Sequence, residues 1–124
     1  MLKWLNLAVG SIAGGFARYF LGGLVYRLWG TSFPYGTLVV NLSGCFLIGL
    51  FNSLAVEKFI IGPRGRMLLM IGFCGAFTTF STFMLETSNL LKDAEIYRAF
   101  LNVILSVTLG FILFWIGSLI GKWI

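Results

Sequence analysis

The stretch Gly72-Phe73-Cys74-Gly75-Ala76-Phe77-Thr78-Thr79-Phe80-Ser81-Thr82-Phe83 gathers two glycines, four hydroxyls and four phenylalanines into twelve residues. Gly72, Gly75 and the Thr78-Thr79 pair lower helix propensity between two strongly apolar runs. In lipid, a broken helix is tolerated only where the freed backbone groups meet protein, water or an ion. Unwound carbonyls suit a hard cation such as sodium, and a buried cation favours an anion nearby. Phe77, Phe80 and Phe83 recur every three residues and share one face if the segment is helical. Two readings of that stripe stand. One is packing. The other uses the positive edge of the aromatic quadrupole to hold an anion without a fixed charge that would bind it too tightly to release.

Further donors lie outside this stretch. Asn41 and Ser43 open the next apolar run upstream, and Asn102 and Ser106 sit one turn apart downstream. Serine and threonine commonly bond back to their own helix, and asparagine commonly ties helices together. Asn41 points further, because an amide is costly to bury without partners and brings two N–H donors. Catalysis finds no support: the chain has no histidine, no Cys-x-x-Cys, no paired carboxylates within a span and no phosphate loop. Glu86 is the one carboxylate inside a span, near its end, so a proton-driven pump lacks a deep acidic relay. Cys45 and Cys74 both fall in apolar runs and read as small buried side chains rather than a disulfide or metal pair.

These residues must be positioned by membrane helices. Of 124 residues 59% are hydrophobic and 10% charged, against about 25% charged in a soluble domain, and mean hydropathy is +0.98. A span needs roughly 20 apolar residues, which predicts an all-α membrane protein with four transmembrane helices in one domain over residues 1–124. The spans run from about 4 to 24, 36 to 56, 67 to 91 and 97 to 120, and the third is expected to break near its middle. Gly14-Gly15 and Arg18 interrupt the first span; turn residues fill Tyr26 to Tyr35, Glu57 to Arg66 and Lys92 to Glu95. The N-terminal run resembles a signal peptide, but its apolar character continues past the small residues where cleavage would fall.

The net charge of +5 is scattered at span ends, which fits a membrane surface or anions rather than nucleic acid. Lys3, Lys58, Arg64, Arg66 and Lys122 fall on one side, and Arg18, Arg27, Lys92 and Arg98 on or toward the other, five against four. So small a bias allows either one weakly signalled topology or insertion both ways, with opposite copies pairing about an in-plane two-fold axis. Gly10 with Gly14, Ser11 with Gly15, and Gly110, Gly117 and Gly121 allow close helix packing. Four short helices enclose little, so a homo-oligomer is expected.

Three blocks then carry a resemblance: Gly-Gly-Phe-Ala-Arg-Tyr at 14–19, Gly-Thr-Leu-Val-Val-Asn-Leu-Ser-Gly-Cys-Phe-Leu-Ile-Gly at 36–49, and the stretch at 72–83 followed by Glu86. Over essentially the whole chain the sequence resembles the CrcB/Fluc fluoride channels. The resemblance implies an antiparallel, dual-topology homodimer in the cytoplasmic (inner) membrane, with two narrow pores for passive fluoride export and a structural sodium ion at the dimer centre. It implies that Phe80, Phe83 and Asn41 line the pore and that Gly75 and Thr78 offer backbone carbonyls to sodium. Thr79, Ser81, Thr82, Glu86 and Ser106 match or neighbour a polar track, and Arg18 matches a first-span arginine with either a vestibule or a structural role. Asn102 departs from the track's pattern, and Phe77 is left to packing.

A small proton-coupled multidrug antiporter, also four spans and able to pair antiparallel, is the rival. Such a protein needs a membrane-embedded glutamate in its first span, where this chain has Arg18. A non-transporting assembly subunit is a third reading, and it gives no reason for a donor-rich, interrupted span.

Overall fold

A computed structural model describes every residue from Met1 to Ile124 and contains only helices. Helix α1 is Leu2–Trp29, α2 is Tyr35–Val56, and the last helix, α5, is Ile96–Trp123. Between them the third span, Pro63–Lys92, is divided into α3 (63–77) and α4 (Phe80–Lys92). All four spans are long and apolar enough to cross a membrane.

The spans outrun their expected limits at several ends. Helix α1 passes straight through Gly14-Gly15 and beyond Leu24 to Trp29. Arg27 therefore lies in its last turn, where a cation opposes the carbonyl end of the helix dipole. Gly30 ends the helix at φ 86°, a left-handed conformation that glycine adopts without a Cβ clash, and donates its N–H to the Tyr26 carbonyl at 2.8 Å.

Glycines decide which helices touch. A Cβ on Gly10 would strike the Leu68 carbonyl, and one on Gly14 the Phe73 carbonyl, so α1 and α3 meet backbone to backbone. Gly49 meets the Phe114 carbonyl and Gly117 the Phe46 carbonyl in the same way, which locks α2 to α5. Beside that crossing the fully buried Ser53 donates its hydroxyl to the Ser118 carbonyl at 2.8 Å. Gly15 has nothing within 4 Å of where its Cβ would lie, so the expected Ser11–Gly15 contact is not made within the chain.

Residues Arg66–Cys74 of α3 are wound as a π-helix. Gly75 returns the chain to α winding, its N–H shared between the Gly72 and Met70 carbonyls. Successive spans alternate in direction. Lys122 pairs with Glu57 at 3.7 Å at one end, and Arg98 donates to the Ser32 carbonyl at 2.9 Å at the other.

Candidate functional site

The break in the third span falls at Thr78 and Thr79, whose backbones are extended (φ −88°, ψ 156° and φ −150°, ψ 121°). It is confined to the end of the stretch from Gly72 to Thr79 over which the sequence lowers helix propensity. Gly75 is still helical: glycine weakens a helix by only about 1 kcal/mol, and its N–H is held by the Gly72 and Met70 carbonyls.

Asn41 of α2 closes the gap. Its Nδ2 donates to the Thr79 carbonyl at 3.1 Å, and its Oδ1 accepts the Thr79 N–H at 2.9 Å. The side-chain amide thus mimics a backbone partner and leaves one N–H of Asn41 free. Because the Thr79 N–H turns to Asn41, the Gly75 carbonyl loses the partner that a continuous α-helix would give it. No backbone N–H reaches the Thr78 carbonyl. The Thr78 hydroxyl bonds back to the Cys74 carbonyl at 2.9 Å, and its methyl group faces Gly44.

Thr79 also caps α4. Its Oγ1 accepts the Thr82 N–H at 3.3 Å, donates to the Thr82 hydroxyl at 3.1 Å and lies 3.4 Å from the Ser81 hydroxyl. A carbonyl end of one helix and an amide end of another therefore meet at the break. The first suits a cation and the second an anion.

The break separates the phenylalanines. Phe77 ends α3, is buried and stacks on Phe73 with centroids 5.3 Å apart. Phe80 and Phe83 belong to α4 and face each other at 5.9 Å with planes tilted by 51°. The stripe seen in the sequence does not share one face, because two extended residues interrupt its period.

A cavity of ≈ 420 Å³ lies on one side of the break, lined by Phe80, Phe83, Asn41, Ser106, Gly75 and Thr78 among others. Its Ser106 hydroxyl is buried without a hydrogen-bond partner. A second cavity of ≈ 710 Å³ is lined by Arg18, Glu86, Thr37, Tyr26, Thr79 and Thr82 among others. Thr79 borders both, and so stands between an aromatic chamber and a charged one. In the larger one Glu86 accepts from the Thr37 hydroxyl at 2.6 Å and from the Tyr26 hydroxyl at 3.4 Å. Arg18 forms no ion pair.

Tyr26 and Thr37 escaped the sequence reading. Tyr26 lay in an expected loop, and the extension of α1 carries it into a helix; their shared partner, Glu86, is 60 and 49 residues away. Asn102 stands apart from both cavities, buried and donating to the Thr87 hydroxyl at 3.0 Å, and joins α5 to α4. Cys45 and Cys74 are free thiols.

Four spans, one broken at a capped threonine, with carbonyls and hydroxyls turned into two adjoining cavities, define a membrane protein of the ion-conducting kind. The family model described as CrcB-like protein, Camphor Resistance (CrcB), matches residues 5–118, and this chain belongs to that family. It is similar to the fluoride-specific ion channel FluC of Geobacter sp. (strain M21), 48% identical over 122 residues that cover 98% of each chain. The FluC channel of Citrifermentans bemidjiense is 47% identical, again covering 98% of each. That of Methylocella silvestris is 43% identical, covering 97% of this chain and 93% of the relative.

Proposed function

We propose that this chain is a fluoride-selective channel that lets fluoride leave the cell passively and so relieves its toxicity. The relatives' names supply the anion. The observation in the molecule that carries the reading is the Ser106 hydroxyl, buried without a partner in the cavity that Phe80, Phe83 and Asn41 line. An unpaired buried hydroxyl is costly, and a small anion passing between the ring edges of Phe80 and Phe83 would supply its acceptor. The free N–H of Asn41 is a second donor at the same place. Thr79, Ser81 and Thr82 then form a hydroxyl relay, and it joins the aromatic chamber to the vestibule of Glu86 and Arg18. Arg18, free of any carboxylate, draws anions in. Donors without a fixed positive charge at the narrow point allow release as well as entry.

The working unit in this reading is a homodimer of oppositely inserted copies with two pores. Gly75 favours a neighbour from outside the chain. Nothing in the chain lies within 4 Å of its Cβ position, so no contact within the chain asks for glycine there. Phe80, 72% exposed in the single chain, likewise needs a second surface to close a pore around it. The freed carbonyls of Gly75 and Thr78 fit a structural sodium ion, a hard cation that takes oxygen ligands. Such an ion would supply positive charge at the dimer centre.

Liposomes loaded with potassium fluoride test the channel. With purified protein, fluoride leaves rapidly once a potassium ionophore relieves the charge imbalance. Efflux equal to that of protein-free liposomes, or chloride release just as fast, overturns the assignment. The multidrug antiporter is not favoured, since it requires a first-span glutamate and the family match points elsewhere.

A further inference from the structure

Arg18 and Glu86 carry opposite charges, line the same ≈ 710 Å³ cavity and do not pair. Opposite charges that share one space attract each other, and arginine's long stem lets its head reorient. The structure shows what holds Glu86. Thr37 donates to Oε1 at 2.6 Å, while Tyr26 lies 3.5 Å from Oε1 and 3.4 Å from Oε2. The Tyr26 ring reaches that position because residue 36 is glycine: a Cβ there would collide with ring carbons Cε2 and Cδ2. The neighbouring residues Gly36 and Thr37 of α2 thus act together, one making room for the tyrosine and the other sharing its acceptor.

We propose that Tyr26 and Thr37 are positioning residues that restrain the Glu86 carboxylate and so keep Arg18 free for anions. Released from the two hydroxyls, Glu86 turns across the vestibule onto Arg18. The resulting ion pair neutralises the entrance and occupies its space. Two hydroxyl donors are suited to this task, because they satisfy a carboxylate without adding a competing positive charge to the anion's route. This inference rests on the channel reading for its consequence, but the placement of Glu86 does not depend on which anion passes.

The test compares Tyr26→Phe/Thr37→Val with Tyr26→Phe/Thr37→Ser and Tyr26→Phe/Thr37→Val/Glu86→Gln in the full-length protein. Fluoride efflux is expected to fall roughly tenfold in the first, since a tenfold bias toward a closed pair leaves about a tenth of the entrances open. Serine at 37 restores much of it by returning a hydroxyl. Glutamine at 86 raises it above the double variant, because a neutral amide cannot form the ion pair. A loss of packing alone would respond to neither rescue. The structure of Tyr26→Phe/Thr37→Val is expected to show an Arg18–Glu86 contact within about 4 Å. Tyr26→Phe alone, which deletes one oxygen atom, gives the same readings in weaker form if the double variant does not fold. Unchanged efflux, failure of Glu86→Gln to rescue, or a Glu86 that stays away from Arg18 in the variant structure each overturns the proposal. Should the unaltered protein conduct no fluoride, the channel reading fails by itself, and the Arg18–Glu86 distance still decides this one.

Discussion

Asn41 and Thr79 are joined by two hydrogen bonds running in opposite directions, 3.1 Å from the amide to the carbonyl and 2.9 Å from the N–H to the amide oxygen. One side chain on α2 thereby completes the backbone of a helix broken 38 residues later. The clamp fixes where α3 ends and where α4 begins, and so sets the place of Thr79 and of the hydroxyls at 81 and 82 that it meets.

Replacing Asn41 with Leu should therefore damage both fold and conduction. It strands the Thr79 N–H and carbonyl, each at a cost of about 1–3 kcal/mol if left without a partner. Thermal unfolding in detergent is expected to shift down, with fluoride efflux lost. Asn41→Asp keeps the acceptor and should lose less stability than Leu.

Ser106→Ala separates function from stability. The hydroxyl has no partner in the folded chain, and a buried group without one costs about 1–3 kcal/mol, so its removal should leave stability unchanged or raise it. A hydrogen bond to a charged group is worth about 1.5–3 kcal/mol, so losing one at the pore should slow efflux by roughly tenfold or more. Equal efflux from the alanine variant would remove Ser106 from the pore.

The two pore phenylalanines should differ in what they do for the fold. Phe80→Ile and Phe83→Ile are both expected to suppress flux while the proposed dimer persists on size-exclusion chromatography. Phe83 is 7% exposed and Phe80 72%. Phe83→Ala should thus lose about 3–5 kcal/mol of stability, and Phe80→Ala far less within the chain. Unimpaired flux in both isoleucine variants would return the pair to simple packing.

Gly49→Ala and Gly117→Ala test the α2–α5 crossing. Each places a methyl against a carbonyl of the opposing helix, and overpacking of this kind costs about 1–3 kcal/mol. Both should lower the unfolding temperature, with any loss of flux following loss of folded protein. Gly15→Ala meets nothing and should leave the single chain's packing unchanged.

Sodium dependence is checked at Thr78. With a sodium ion on the Gly75 and Thr78 carbonyls as proposed, its exchange for a bulky organic cation should reduce the stability of the proposed dimer and fluoride flux. Thr78→Ala keeps the carbonyl and should keep that dependence, although it loses the hydroxyl bond to Cys74.

Composition and hydropathy determined the four spans, their alternation and the unusual third one, because burial in lipid demands long apolar runs and penalises a break without a purpose. The resemblance in the three sequence blocks pointed to Phe80, Phe83, Asn41 and Glu86 as pore candidates. Tertiary structure decided the rest. The interruption falls at Thr78–Thr79, since Gly72 and Gly75 stay within hydrogen-bonded helix and Asn41 supplies both backbone partners that Thr79 needs. Phe77, which the resemblance already left to packing, is parted from the stripe because that interruption changes its facing, which a period of three cannot reveal. Tyr26 and Thr37 joined the vestibule through contacts to a carboxylate far along the chain. Local sequence fixes propensity and polarity, whereas such partners meet only when glycines let helix backbones close on one another.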